Sequence, residues 1–226
     1  MADSRGHILN SIRAALDKAL LPDSTPERPP HSVPRATGGV DAFVDEAKRL
    51  SAQVIRVGTP GEAAEAVAAL FVERGWKQAL AWSWEEIGCE GLAEALNGAG
   101  VESVQAGDPV RLASIPVGVT GAEAGLADTG SIVVRNGAGR SPLASLLPPV
   151  HVALVGASRI YADMVTFFRS LDEGEGIAAH IQAASSLVFI SGPSRTADIE
   201  QTLTLGVHGP QELILVVWRG SPCPYS

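Results

Sequence analysis

From residue 40 to the end of the chain, short apolar runs alternate with segments of helical periodicity. Apolar runs bounded by turn residues predict buried β-strands, whereas apolar residues recurring every three or four positions predict helices. Such an alternation is typical of an α/β protein with a largely parallel or mixed sheet flanked by helices. The strands look buried on both faces. They are predicted at 53–57, 78–82, 101–104, 115–119, 131–135, 150–155, 187–190 and 212–218.

The helices between these strands carry recognisable start and stop signals. The clearest is 60–74, with Thr59 as N-cap, Pro60 at the first helical position and Gly75 after the last turn. By contrast, the small-residue segment 122–130 joins two strands and predicts a local antiparallel or mixed part of the sheet. The other helices are predicted at 43–50, 91–97, 108–113, 159–171, 177–183 and 196–205.

The amino-terminal part has a different character. Residues 3–20 predict an amphipathic helix, and prolines at 22, 26, 29, 30 and 34 predict an extended linker after it. We therefore divide the chain into an arm, residues 1–37, and a single α/β domain, residues 38–226. The arm either packs on a neighbouring subunit or partner, or is a loosely held terminal helix.

Charge and hydropathy restrict the classes of partner. The formal net charge is −8, which argues against nucleic acid and anionic membrane surfaces because both attract basic proteins. Charged residues interrupt the first twenty positions, so no signal peptide is expected, and no apolar run is long enough for a membrane span. We expect a cytoplasmic protein. A homo-oligomer is compatible with the sequence.

The chain has two cysteines, Cys89 and Cys223. An iron–sulfur cluster usually takes four thiolates, and a zinc ribbon needs a comparable set. The histidines are too scattered to predict a metal site. We therefore expect reduced thiols, no metal and no cofactor in this chain.

Two carboxylates, Glu123 and Asp128, lie in the small-residue segment AEAGLADTG between two strands. Carboxylates so placed can act as general acid or base, or as a nucleophile, and both residues are candidate catalytic groups. The alternative is a polar loop in which Asp128 binds nearby backbone N–H groups.

Arg140 begins the segment RSPLASLLPPVH and can clamp a carboxylate or phosphate through two parallel hydrogen bonds. The alternative is a structural ion pair. His151, at the start of a predicted strand, is more typical of a structural histidine than of a ligand-binding one.

The segment SGPSRTADIE, residues 191–200, follows a strand and precedes the helix predicted at 196–205. A Gly/Ser-rich turn at a helix N-terminus exposes N–H groups that bind anions. The alternative is an ordinary cap, with Asp198 and Glu200 stabilised by the helix dipole. The candidate ligand-binding residues here are Ser191, Gly192, Ser194, Arg195, Thr196 and Asp198.

The tripeptide His208-Gly209-Pro210 precedes the last predicted strand, and His208 is a further candidate ligand-binding residue. Ligands in open α/β sheets bind beyond the carboxyl ends of the strands. Whether His208 and Ser191 share a site therefore depends on the direction of their strands.

Four segments carry a family resemblance: GLADTGSIVV (125–134), RSPLASLLPPVHVALV (140–155), SGPSRTADIEQTLTLGVHGP (191–210) and ELILVVW (212–218). In this order they closely resemble the lactate utilization protein C family, whose shared module is the LUD domain. The similarity covers 43–218. The most specific part of the resemblance is SGPSRTADIE followed by HGP.

The resemblance implies a fold like that of ribose-5-phosphate isomerase, glucosamine-6-phosphate deaminase and the coenzyme A transferases. It also implies a role in oxidising L-lactate to pyruvate with two partner proteins, on which iron–sulfur clusters are expected. This chain would be their non-redox subunit or accessory factor. Alternatively, it is a stand-alone enzyme or small-acid sensor that binds a carboxylate, sugar phosphate or acyl-CoA as a small anionic ligand.

Overall fold

The computed structural model describes residues 4–18, 39–174, 176–197, 203–205 and 209–219. Backbone contacts divide the chain into two units, Met1–Pro34 and Arg35–Ser226. The described part of the first unit is helix α1 (Ser4–Leu16), whose residues Ile8, Ile12 and Leu16 are exposed. No helix among the described residues has the length and apolar character needed to cross a membrane.

The second unit contains helices and strands in alternation. Its helices are α2 (Val40–Arg49), α3 (Pro60–Arg74), α4 (Trp84–Ile87), α5 (Leu92–Gly98), α6 (Pro109–Ala113), α7 (Leu143–Leu146), α8 (Met164–Glu173) and α9 (Ile177–Gln182). Its strands are β1 (Gln53–Val57), β2 (Gln78–Ala81), β3 (Glu102–Val104), β4 (Val117–Gly121), β5 (Ala124–Leu126), β6 (Ser131–Asn136), β7 (Val150–Gly156), β8 (Ile160–Tyr161), β9 (Ser186–Ile190), β10 (Arg195–Ala197), β11 (Leu203–Leu205) and β12 (Glu212–Trp218).

The main sheet has six parallel strands in the order β1-β12-β7-β4-β2-β3. Its central register pairs Val119 with Val152 and Ala153 with Leu215. From β2 the chain continues to β3 at the sheet edge, then returns to β4 on the other side of β2. The direction of winding therefore reverses between β2 and β4. The predicted α/β architecture is confirmed.

A second sheet of four strands has the order β8-β5-β6-β9. Strands β5 and β6 form an antiparallel hairpin that pairs Gly125 with Ile132, and β9 pairs antiparallel with β6. Strand β8 pairs parallel with β5. The prediction of a mixed region around 122–130 is confirmed, with the difference that 124–126 is itself a strand.

The core explains why the central strands are continuous apolar runs. Nearly every residue of β4, β7 and β12 is buried, as expected for strands covered on both faces. Phe43 of α2 and Phe71 of α3 are fully buried against this sheet. A smaller cluster joins Phe167 of α8 to Leu126 and Val133 of the second sheet.

The signals predicted for α3 are confirmed. Thr59 Oγ1 accepts a hydrogen bond of 3.1 Å from the Glu62 N–H, and Pro60 is the first residue of the helix. Gly75 ends the helix in the left-handed conformation, with φ of 67°.

The helix predicted at 196–205 is wrong. Strands β10 and β11 occupy 195–197 and 203–205, and their antiparallel register pairs Thr196 with Thr204. Threonine is β-branched and fits a strand better than a helix, and this preference outweighs the helical spacing of the apolar residues. The anion site predicted at the N-terminus of that helix therefore loses its basis.

Other elements differ in their bounds. The helix predicted at 159–171 begins at Met164, because 160–161 form β8 and the Asp163 side chain caps the helix by accepting from the Thr166 N–H at 2.6 Å. The short helices α4 and α7 were not predicted. Asp198, Glu200 and His208, singled out in the sequence, lie outside the described residues.

Candidate functional site

The carboxyl ends of four parallel strands surround one cleft. Trp82 follows β2, and Gly121, Gly156 and Trp218 end β4, β7 and β12; all four residues line it. We call this space the carboxyl-edge cleft. It includes the point between β2 and β4 where the winding reverses, which is where open α/β sheets bind their ligands. Its cavity volume is about 30 Å³, and the cleft is partly open to solvent.

Glu123 enters the cleft from the connection between β4 and β5 and is held on both sides. Its Oε2 lies 3.1 Å from Nε of Arg135 on β6, and its Oε1 lies 2.9 Å from Nε2 of His180 on α9. The three side chains are 12%, 15% and 9% exposed, so solvent screens these contacts only weakly. Glu123 Oε2, Arg135 Nε and His180 Nε2 make no hydrogen bond among the described residues, so both contacts are short distances between charged or polar atoms rather than hydrogen bonds.

Arg140 also lines the cleft. Its Nε is 3.3 Å from Oε2 of Glu86, which α4 places directly after β2. The bridge between Gly137 and Arg140 fixes the backbone at this position. The structure thus contains the ion pair that was the alternative interpretation of Arg140, and it also places Arg140 at the cleft.

Arg159 adds a third guanidinium from the 3-10 turn that follows β7. The described charged residues of the cleft are Glu86, Glu123, Arg135, Arg140 and Arg159. Three arginines and two glutamates give this set a formal charge of +1.

The apolar wall of the cleft contains two tryptophans. Trp82 Nε1 donates a 3.1 Å hydrogen bond to the Ser141 carbonyl oxygen. Trp218 is almost fully buried, and its Nε1 has no hydrogen-bond partner among the described residues. The indole of Trp218 packs over Gly156, where a Cβ would lie 3.3 Å from Cε2.

Sequence reasoning missed most of the cleft. Glu86, Arg159 and Trp218 were not candidates, although each lies at or just beyond the carboxyl end of a strand. That position was the available signal, since parallel strands present their carboxyl ends at one edge. Arg135 and His180 come from the second sheet and from α9, and no local pattern places them here.

Of the two candidate catalytic carboxylates, the structure places Glu123 in the cleft with Arg140. Asp128 is exposed in the turn between β5 and β6, where its N–H donates to the Ala162 carbonyl oxygen at 3.1 Å. It is not among the described residues that line the cleft.

Three of the other described candidates, Ser191, Gly192 and Ser194, lie at the opposite edge of the sheet. A cavity of about 210 Å³ sits at the amino ends of β7 and β12, which contribute His151 and Leu213. We call it the amino-edge cavity. Its described lining residues include Ser191, Gly192, Ser194, Gly209 and Pro210.

The turn after β9 and the segment before β12 do meet at this cavity. The Ser194 N–H donates a 2.8 Å hydrogen bond to the Pro210 carbonyl oxygen. The two motifs of the sequence, SGPSR and HGP, are therefore neighbours in space through these described residues. They are not part of the carboxyl-edge cleft.

The contacts of this turn are with neighbouring elements. Ser191 Oγ lies 2.7 Å from Ser131 Oγ on β6. Gly192 has a φ of 84°, and a Cβ there would lie 2.4 Å from the Leu50 carbonyl oxygen. Arg195 Nη2 donates to that same oxygen at 2.8 Å. Thr196 belongs to β10.

His151 is buried between the strands. Its Nε2 lies 2.8 Å from Oγ1 of Thr120 on β4, whereas its Nδ1 has no partner in the part of the chain that is described. Burial lowers the pKa of His151 to about 4, because the charged imidazolium is poorly solvated there. The imidazole is therefore neutral near pH 7.

Within the described ranges, no group of three or more His, Cys, Asp or Glu side chains is arranged to hold a metal ion. Cys89 is buried, with its Sγ 3.4 Å from the Pro60 carbonyl oxygen.

Comparison with known proteins finds an uncharacterized relative and relatives named lactate utilization protein C. The chain is 36% identical over 103 residues to an uncharacterized protein from Neisseria meningitidis, covering 46% of this chain and 42% of that protein. It is 36% identical over 107 residues to a protein named lactate utilization protein C from Halalkalibacterium halodurans, covering 45% and 43%. These two alignments thus span less than half of either relative. A protein of the same name from Bacillus pumilus aligns over 235 residues at 28% identity, covering 94% and 95%.

Among solved structures, a DUF162 family protein from Deinococcus radiodurans shares the fold, with a TM-score of 0.59 and 20% identity. The match covers 79% of this chain and 94% of that one. The model of the LUD domain matches residues 40–218, most of the chain and nearly all of its second unit. The chain therefore belongs to the LUD domain family.

Proposed function

We propose that this chain is a non-redox component of an L-lactate utilization system that oxidises lactate to pyruvate together with iron–sulfur partner proteins. The observation that carries the proposal is the alignment over 94% of the chain with a relative named lactate utilization protein C. Membership of the LUD domain family supports it.

Oxidation of lactate to pyruvate releases two electrons and two protons. Clusters of the ferredoxin type are held by four cysteines, and this chain has two, of which Cys89 is buried. The proposal therefore assigns electron transfer to the partners. It assigns recognition of the small organic acid to this chain, at the carboxyl-edge cleft with its charge of +1.

The test is lactate-dependent dye reduction by complexes purified from lactate-grown cells through a tag on this chain, with a strain lacking the chain as reference. We expect iron–sulfur partners to co-purify and activity to fall when the chain is absent. The variant Arg140→Gln should lower activity, and Arg169→Gln, a change at an exposed arginine of α8, should not. Activity indifferent to the chain, with no partner recovered, would contradict the proposal.

The arm, residues 1–37, is the proposed contact with those partners. Its helix α1 exposes Ile8, Ile12 and Leu16 on one side. Deleting 1–37 should therefore lower the recovery of partners while leaving the α/β domain folded, as judged by circular dichroism. Unchanged recovery would remove the arm from the proposal.

A second candidate is an enzyme or sensor that acts alone on a carboxylate, sugar phosphate or acyl-CoA. The contact between Glu123 and His180 favours it, because a carboxylate paired with an imidazole is suited to proton transfer. If it is correct, a small anion should raise the melting temperature of the isolated chain by mass action. No shift with a panel of carboxylates and phosphates would count against it.

A further inference from the structure

The amino-edge cavity, of about 210 Å³, is lined by a buried histidine with an unsatisfied ring nitrogen. His151 is 1% exposed, and its Nδ1 has no hydrogen-bond partner among the described residues. A buried polar atom that makes no hydrogen bond costs free energy, and such atoms usually have a partner in the protein or in a bound molecule. Because His151 lines the cavity, a molecule bound there is placed to supply that partner.

The contact with Thr120 decides whether Nδ1 of His151 donates or accepts. Nε2 lies 2.8 Å from Oγ1 of Thr120, a fully buried residue. The imidazole is neutral near pH 7, because burial lowers its pKa to about 4, so one ring nitrogen donates and the other accepts. If Nε2 donated to Thr120, the hydroxyl hydrogen would have no acceptor among the described residues. If Thr120 donates instead, both atoms are satisfied, and Nδ1 is a donor that needs an acceptor.

The walls of the cavity favour an uncharged ligand. At neutral pH none of the described residues that line the cavity carries a charge. Arg195 follows the lining turn 191–194, but its Nη2 donates to the Leu50 carbonyl oxygen and to Ser51 Oγ, each at 2.8 Å. An ion buried without an opposite charge is strongly unfavourable. A ligand of this cavity is therefore neutral.

The size of the cavity and its apolar side chains favour a molecule of about one ring. Leu146, Phe189 and Leu213 offer carbon atoms from α7, β9 and β12. A dry apolar cavity of roughly 150 Å³ can hold benzene. The amino-edge cavity is larger than this, so it accommodates a six-membered ring that carries one polar group.

Two of the serine hydroxyl groups in the lining already make hydrogen bonds. Ser145 Oγ donates to the Pro142 carbonyl oxygen at 3.1 Å, and Ser191 Oγ lies 2.7 Å from Ser131 Oγ. The principal polar requirement on the ligand is therefore one acceptor, for Nδ1 of His151.

We propose that the amino-edge cavity binds one small, uncharged, ring-sized molecule whose carbonyl or ether oxygen accepts a hydrogen bond from His151 Nδ1. The turn 191–194 and residues 209–210 close one side of this site, held together by the hydrogen bond from the Ser194 N–H to the Pro210 carbonyl oxygen. The site shares no described lining residue with the carboxyl-edge cleft, so it is independent of the proposed function.

Titration of the purified full-length chain with cyclohexanone tests the proposal. Amide NMR shifts of Gly192 and Ser194, which line the cavity, report binding at this site. Methylenecyclohexane has the same shape without the oxygen, and cyclohexanecarboxylate carries a charge on the same ring. We expect cyclohexanone to bind about tenfold more tightly than methylenecyclohexane. The carboxylate should also bind more weakly than cyclohexanone. No binding of cyclohexanone, equal affinity for the two uncharged probes, or tighter binding of the carboxylate would overturn the proposal.

A double variant, Thr120→Val with His151→Phe, removes the buried hydrogen-bonded pair as a unit. Removing both partners leaves neither of them unsatisfied, which favours a folded protein. The two uncharged probes should bind this variant with equal affinity, because the donor is absent. The matched control is His7→Phe with Thr166→Val, two exposed positions of α1 and α8, and it should keep the tenfold preference for cyclohexanone, about as in the wild type. A preference that persists in the Thr120→Val, His151→Phe variant would overturn the role of His151.

The tautomer of His151 provides a measurement on the wild type alone. Long-range ¹H–¹⁵N NMR correlations of the assigned imidazole show which ring nitrogen carries the proton. We expect the proton on Nδ1, both in the free chain and with cyclohexanone bound. A proton on Nε2 would make Nδ1 an acceptor and would overturn the proposal.

Discussion

Arg195 Nη2 donates a 2.8 Å hydrogen bond to Oγ of Ser51, across 144 positions of sequence. Ser51 has a φ of 70° and lies just beyond the end of α2, where Leu50 presents its carbonyl oxygen to the same guanidinium nitrogen. A cation at the C-terminus of a helix is favoured by the helix dipole. In the structure, Arg195 thus joins the turn after β9 to the end of α2.

Arg195→Ala should lower stability and leave ligand binding unchanged. The variant loses two hydrogen bonds from a charged donor on an exposed side chain, so the free energy of unfolding should fall by about 1 kcal/mol. Urea unfolding measures this loss, with Arg169→Ala of α8 as the control for removing an exposed arginine. Unaltered stability together with weaker binding of lactate would return Arg195 to a ligand-binding role.

Gly130 is expected to tolerate no side chain. Its φ is 64°, and a Cβ would lie 2.2 Å from the backbone nitrogen of Ala47 on α2. Gly130→Ala should therefore push α2 from the sheet and destabilise the fold by about 3 kcal/mol. At Gly98 of α5 a Cβ meets nothing within 4 Å, so Gly98→Ala should be neutral or stabilising. Thermal unfolding gives the melting temperatures of the two variants. Equal melting temperatures would contradict the close approach of α2 to Gly130.

The lowered pKa of His151 predicts how the free energy of unfolding depends on pH. Its folded pKa of about 4 lies below the ordinary value of about 6.5, so the unfolded chain binds the proton first as the pH falls. The contribution of this residue is complete above about pH 6.5 and is lost as the pH falls toward 4. The difference corresponds to about 3 kcal/mol in the free energy of unfolding.

The measurement is urea unfolding at several values between pH 7 and pH 4.5, for wild type and His151→Gln. The variant loses the contact with Thr120 and should be less stable at pH 7, but its stability should depend less on pH. Carboxylates titrate in both proteins, so the difference between the two slopes isolates the histidine. Parallel slopes would show that His151 does not carry this dependence.

The sequence predicted the main sheet because its strands are continuous apolar runs between clear turn signals. It predicted α3 from Thr59, Pro60 and Gly75, which act locally. It failed at 196–205, where the threonines pair across β10 and β11 and helical spacing was misleading. Local patterns indicate local structure. The pairing of β10 with β11 joins two separate segments, so a local pattern does not indicate it.

At the candidate site, too, local patterns identified single residues but not the contacts between distant segments. Glu123 and Arg140 were found because polar residues stood out in loops between strands. Their partners His180 and Glu86 come from α9 and α4, and only the packing of the two sheets brings them into contact. The turn after β9 stood out in the sequence as a candidate ligand site. In the structure its described hydrogen bonds connect it to the end of α2, through Arg195, and to the segment before β12, through Ser194.

Glu123→Gln should change which anion the cleft prefers. The substitution keeps the size of the side chain and removes one negative charge, so the described set at the cleft goes from +1 to +2. The affinity for L-malate relative to L-lactate should therefore rise at least about tenfold. Glu102→Gln is the matched control, because Glu102 pairs with Arg111 at 3.1 Å on an exposed surface of β3. Calorimetric titration of both anions into both variants measures the ratio. A rise in Glu123→Gln alone places the negative charge of Glu123 beside the ligand, and an equal ratio in the two variants would place the ligand elsewhere.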